Sequence, residues 1–73
     1  MKVPRNVSGK SCVKALGRLG FVPHHQVGSH LVLRRRDGTG RVSVPLHDAL
    51  DVGTLLSILE QAGLSRQEFL DAL

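Results

Sequence analysis

The spacing of apolar residues changes period along this chain, and each change marks an element. Between Ser8 and Gly20, Cys12, Leu16 and Leu19 recur at i, i+4 and i+7, with Val13 and Ala15 widening the stripe. That is the period of an amphipathic helix, with Ser8 as its cap and Gly20 as its stop. Lys10, Lys14 and Arg18 repeat every fourth residue on the opposite side and share one helical face. The period then shortens to two. Phe21 to Gln26 is a weak strand, because Pro23 cannot donate a ladder hydrogen bond and fits only an edge or a bulge. Ser29 to Arg36 is a better strand, Asp37-Gly38 signals a hairpin turn, and Arg41 to Val44 completes the hairpin before Pro45. Alternation puts Leu31 and Leu33 on one face of the second strand and His30, Val32, Arg34 and Arg36 on the other. In the third strand Val42 and Val44 oppose Arg41 and Ser43. Burying the Leu and Val set under helices leaves His30, Arg34, Arg41 and Ser43 on an open sheet face.

Past a loop around Leu46 to Leu50, the run Leu55, Leu56, Ile58 and Leu59 restores the helical period, with Asp51 as cap and Gly63 as stop. Ser65 and Glu68 form a capping box, and Phe69, Leu70 and Leu73 give a last short helix its apolar side. The expected order is α-β-β-β-α with a short C-terminal helix, a two-layer α+β fold. No repeat, low-complexity segment or linker interrupts it, so a single domain over residues 1–73 is expected.

At 73 residues the core lies near the lower limit of what folds unaided. A hydrophobic share of 41% excludes a compositionally disordered chain. With two Phe and neither Trp nor Tyr, the core is expected to be aliphatic, built from Leu and Val. One cysteine cannot make an internal disulfide. No apolar run approaches the ~18 residues of a membrane span, and Met1 to Arg5 lack the apolar stretch of a signal peptide. A cytoplasmic location is the resulting expectation, with no membrane partner.

Charge sharpens this picture. From Met1 to Pro45 nine basic residues face only Asp37, a net +8; from Leu46 onward Arg66 faces five acidic residues, a net −4. A concentrated positive field suits a polyanion, in practice nucleic acid, although a solvated basic surface has the same composition.

Three motifs then stand in order. Gly20-Phe21 is followed by Val27-Gly28-Ser29-His30; Val42-Ser43-Val44-Pro45-Leu46-His47 follows the hairpin; and Gly53 to Ser65 (GTLLSILEQAGLS) leads to Glu68-Phe69-Leu70. Over nearly the whole chain from about Ser8, this pattern resembles the HicA family of toxins. The resemblance implies a fold like the double-stranded RNA-binding domain, with three antiparallel strands flanked by helices. It implies ribosome-independent cleavage of mRNA and neutralisation by a HicB-like antitoxin protein. It also implies that the essential histidine is the one in Gly-Ser-His, which is His30. Leu31 stands where members often carry a second histidine, and Pro23 lies in a strand that is usually unbroken.

RNA is cut without a metal when its 2′-OH attacks the adjacent phosphate. The reaction needs a base for that hydroxyl, an acid for the departing 5′-oxygen, and cations for the charge on phosphorus. A histidine, titrating near ~6.5, serves either proton role at neutral pH. Arginines on the same strand face, Arg34, Arg36 and Arg41, are candidates to hold the phosphate. Gly28 and Ser29 give RNA a close approach just before His30. His47 is a candidate second proton carrier, with a structural role as the other reading. Lys10, Lys14 and Arg18 are candidate RNA contacts, since a helix beside the sheet is how such a fold meets a phosphate backbone. His24 and His25 read as solvated strand residues, and Cys12 as a small hydrophobe on the helix stripe. One cysteine without clustered His/Cys spacing argues against a zinc site, so neither metal nor cofactor is expected. Two other readings fit the same residues: a non-catalytic RNA-binding module, and a decayed toxin that only binds an antitoxin. A titrating side chain at His30 is what a pure binder has no need of.

Overall fold

The computed structural model describes residues 7–73. Lys2 and Arg5, part of the basic set above, and the Met1–Arg5 stretch lie outside the described residues.

Side-chain caps set the helix starts. Ser8 caps α1 (Gly9–Arg18), its hydroxyl accepting the Ser11 N–H at 3.0 Å. Asp51 caps α2 (Val52–Ala62), accepting the Thr54 N–H at 2.6 Å, and Gly63 ends that helix. Ser65 and Glu68 form the expected capping box at the start of α3 (Arg66–Ala72), with reciprocal bonds of 3.1 and 2.9 Å. Between α1 and α2 lie β1 (Phe21–Val27), β2 (His30–Arg35) and β3 (Arg41–Pro45). They form one antiparallel sheet in the order β1-β2-β3. The result is the expected α+β fold, consistent with that of the double-stranded RNA-binding domain.

Pro23 is accommodated as its missing donor requires: β1 is an edge strand, and its pairing with β2 shifts between Pro23 and His25. This bulge leaves His24 unpaired. The β2–β3 hairpin is looser than a two-residue Asp-Gly turn, since the strands part at Arg35 and rejoin at Arg41. The Asp37 carboxylate is the reason, capturing the Thr39 N–H at 2.9 Å and the Thr39 hydroxyl at 2.6 Å. Arg36, expected on the open face of the second strand, therefore lies in this turn, one residue beyond β2.

The helices cover one face of the sheet. Leu33, Val42 and Val44 are fully buried there against Leu16 of α1 and Leu55 and Ile58 of α2. Each such side chain contributes about 1.5–3 kcal/mol on burial. The core is less purely aliphatic than composition implies, because both phenylalanines, Phe21 and Phe69, are among its largest buried side chains. Cys12 is fully buried, and burial pushes its thiol pKa up to about 11, so it behaves as a small hydrophobe.

Two arginines close helix ends, Arg18 from an exposed position and Arg35 from a half-buried one. Arg18 donates to the Ala72 carbonyl at 2.6 Å. Arg35 lies over the Phe21 ring, 4.9 Å from its centroid, and donates to the Ala62 carbonyl at 2.6 Å. Cations at helix C-termini are favoured by the helix dipole.

The caps give the fold an acid sensitivity. Hydrogen bonds hold Asp51 and Glu68 below their ordinary values of 3.8 and 4.5, chiefly from the backbone N–H groups of Thr54 and Ser65 respectively. Asp37 is lowered by its bonds from Thr39. A carboxylate with a lower pKa folded than unfolded contributes stability above the unfolded value and loses it as pH falls. Thermal melting is therefore expected at steadily lower temperature once pH drops below the ordinary 4.5 of Glu and 3.8 of Asp. A melting temperature constant across that range would show the caps contribute nothing.

Candidate functional site

The two histidine motifs are brought together by β2–β3 pairing. His30 opens β2 and Pro45 closes β3, and the two are register partners. Just outside that pair, the Leu46 N–H donates to the Ser29 carbonyl at 2.7 Å. The chain after β3 is thus held against the Gly28–Ser29 turn, where Gly28 takes the left-handed conformation at φ 59° that favours glycine. On its other side, the His47 carbonyl accepts the Gly9 N–H at 2.9 Å, the first free donor of α1. His47 is pinned from two directions, and its ring centroid comes to 6.4 Å from that of His30, with the planes at 58°. Both residues are exposed. That separation lets both rings reach one phosphoryl group through hydrogen bonds of ~2.6–3.2 Å.

A cationic surface lies farther along β2. Arg34 and Arg41 are direct cross-strand partners and line a shallow concavity with Gly38 and Gly40. Like charges placed opposite one another are destabilising in a sheet. Asp37 does not neutralise them, since its carboxylate is turned onto Thr39. His24, left unpaired by the bulge, registers the same field: its pKa is lowered, first by Arg34, with burial, His25 and Arg41 adding to the effect. The ring nitrogens Nδ1 of His24 and His25 lie 2.7 Å apart. From His30 to Arg34 the strand advances four residues, about 13 Å at ~3.3 Å per residue. Val32, midway between them, is 9% exposed between its register partners His25 and Ser43 and stands outside the helix-covered core.

The structure therefore brings His30 and His47 together, with Gly28 and Ser29 beside them, and brings Arg34 and Arg41 together on the same face. Arg36 is exposed in the hairpin turn beside this pair. Lys10 and Lys14 are exposed on α1. Neither lines the His30 groove or the Arg34–Arg41 concavity; Lys14 lies instead with Ser11, Arg18 and Leu73. Arg34, Arg35 and Arg36, consecutive in the chain, have three different surroundings.

One feature of this region escapes strand alternation. One side of α2 faces His30 across a groove along most of the helix, contributing Gly53, Thr54, Ser57 and Gln61. Its signal in the sequence is an uncharged polar stripe, Thr54, Ser57 and Gln61 at i, i+3 and i+7, opposite the Leu face. Among the described residues no group of three or more His, Cys, Asp or Glu side chains is placed to hold a metal ion. Nor is any helix of the described residues long and apolar enough to cross a membrane.

Curated proteins yield no match to the chain. Residues 9–64 match the family described as HicA toxin of bacterial toxin-antitoxin, a span that includes both histidines, the whole sheet and α2. The chain belongs to the HicA toxin family, whose members are the toxins of bacterial toxin–antitoxin pairs.

Proposed function

We propose that this toxin is a ribosome-independent endoribonuclease that cleaves mRNA, with His30 as its central general acid or base. The observation that carries the reading is the His30–His47 pair, 6.4 Å apart at the rim of an arginine-bearing sheet face. In the proposed reaction one imidazole takes the proton from the 2′-OH as that oxygen bonds to phosphorus. The other gives a proton to the 5′-oxygen as its bond to phosphorus breaks, leaving a 2′,3′-cyclic phosphate and a 5′-OH. His47 is the second proton carrier. No metal is needed for this chemistry, because both proton transfers have a side chain to perform them. Arg34, Arg36 and Arg41 hold the RNA phosphates on the cationic face, and the Gly28–Ser29 turn lets the strand approach His30. Lys10 and Lys14 are further RNA contacts, on α1 and apart from the arginine face. The whole chain acts as one domain in the cytoplasm, and a HicB-like antitoxin protein neutralises it.

The test is induced expression of the wild type and of His30→Ala, following growth and the integrity of cellular mRNA together. Growth arrest with fragmented mRNA from the wild type alone supports the proposal. Arrest by both proteins would move the chemistry elsewhere, and harmlessness of both would leave a binding protein.

The arginines make a separate prediction. Each phosphate contact on single-stranded RNA contributes about 0.7 to the slope of log affinity against log salt. Arg34→Ala and Arg41→Ala should each weaken RNA binding across all sequences and flatten that slope by about 0.7. Binding titrations at several salt concentrations measure it, and an unchanged slope would remove these residues from the phosphate path.

A further inference from the structure

The groove beside His30 has a chemistry opposite to that of the arginine surface. It is an open groove of about 390 Å³, with Ser43 and Pro45 on the sheet side and Thr54, Ser57 and Gln61 on α2. That volume falls within the ~300–1,000 Å³ of small-ligand sites. Apart from His30 none of its lining side chains is ionisable. The charged residues that flank these positions in the chain, Asp51 at the cap of α2 and Glu60 within it, are both negative. A phosphate belongs with Arg34 and Arg41; hydroxyls and a carboxamide suit a neutral group with a hydrogen-bonding edge.

The Gln61 carboxamide is held loosely. Its oxygen accepts the Ser43 N–H at 3.4 Å and its nitrogen donates to the Ser57 hydroxyl at 3.4 Å, both beyond the usual 2.7–3.2 Å. One N–H and a lone pair are left over, a donor–acceptor pair of the kind that reads a base edge. Ser57 and Gln61 are exposed, and the Pro45 ring adds an apolar surface. RNA is read by sequence where single-stranded bases splay out and present their edges.

We infer that this groove receives one unpaired nucleobase next to the bond cut at His30, with Gln61 and Ser57 reading its edge. The inference rests on the ribonuclease reading and deepens it by locating the source of cleavage-site preference. The arginines fix the phosphates without regard to sequence, and the groove selects which base lies beside the histidines.

The experiment is equilibrium binding of short 2′-O-methyl RNA homopolymers of each base, which lack the attacking hydroxyl and cannot be cut. Wild type, Ser57→Ala and Gln61→Ala are compared, with thermal melting of each. Ser57 is exposed on a helix, where alanine is a better helix former, so that variant stays folded. Wild type is expected to bind one homopolymer at least about fivefold more tightly than the others. Both substitutions should collapse that difference without weakening the poorly bound oligomers. Equal wild-type affinity for every base, a preference that survives both substitutions, or uniform weakening of all oligomers would overturn the inference. Cleavage of the unmodified form of the preferred oligomer is measured beside it. Preference without cleavage would defeat the ribonuclease reading while leaving base selection by the groove in place.

Discussion

Substituting His30 with alanine should slow RNA cleavage by purified toxin about 10²–10⁴-fold, the usual worth of one general acid–base group. The fold should survive, because His30 is exposed and its pairing with Pro45 is made by backbone groups that alanine keeps. RNA affinity should also survive, since Arg34 and Arg41 lie four residues farther along the sheet. This separation of rate from affinity is the useful readout: a residue that merely bound RNA would lose both together. His47→Ala should cost a similar factor and should remove one limb of a bell-shaped pH–rate profile, leaving the other. A folded His30→Ala protein that cuts RNA at the wild-type rate would end the proposal. A His47→Ala protein with the full bell-shaped profile would return the second proton transfer to solvent or to the substrate.

The largest stability effect is expected at Gly9. A Cβ there would overlap the Pro45 carbonyl oxygen and lie 2.8 Å from the Leu46 Cα. Both are backbone atoms of the segment that carries His47, so no side chain can swing aside to make room. Overpacking that moves backbone costs about 1–3 kcal/mol and occasionally more, and Gly9→Ala should fall at the upper end. Against a total of about 5–15 kcal/mol for ordinary domains, and less for small ones, that is a large share. Gly17→Ala is the matched control. Its Cβ would meet nothing within 4 Å. Replacing a helix-interior glycine with alanine should stabilise α1 by about 0.5–1 kcal/mol. Urea unfolding of the two variants should shift in opposite directions. Gly9→Ala that remains folded should also cut RNA poorly, because separating α1 from the His47 carbonyl loosens the pair with His30. Equal stability of Gly9→Ala and wild type would show that α1 does not brace this segment.

Much of the fold was legible in the sequence because the interactions that set it are local. Ser8, Asp51 and Ser65 cap helices through bonds that span three residues, and such bonds are written in adjacent letters. Strand alternation is equally short-ranged. It correctly sends Leu33, Val42 and Val44 inward and leaves His30 and Arg41 exposed. Pro23 announced an edge or a bulge and occupies both. The turn after β2 was the local failure, where Asp37 bonds to Thr39 displaced Arg36 from the strand.

What the tertiary structure alone decided are the meetings of segments distant in the chain. His30 and His47 come together only because β3 returns antiparallel to β2 in a register that pairs His30 with Pro45. A one-residue slip would put the histidine on the opposite face, and it is the burial of Leu33, Val42 and Val44 under the helices that excludes it. The three adjacent arginines look interchangeable as letters. Their fates were set by what packs nearby: Arg41 opposite Arg34, the Phe21 ring and the end of α2 at Arg35, and open solvent at Arg36. The need for glycine at position 9 and the polar face that α2 turns toward His30 arise in the same way. Composition and spacing thus determined the elements, the buried faces and the family motifs. The site itself is a product of non-local packing, because its members are held by backbone contacts between segments that the sequence lists far apart.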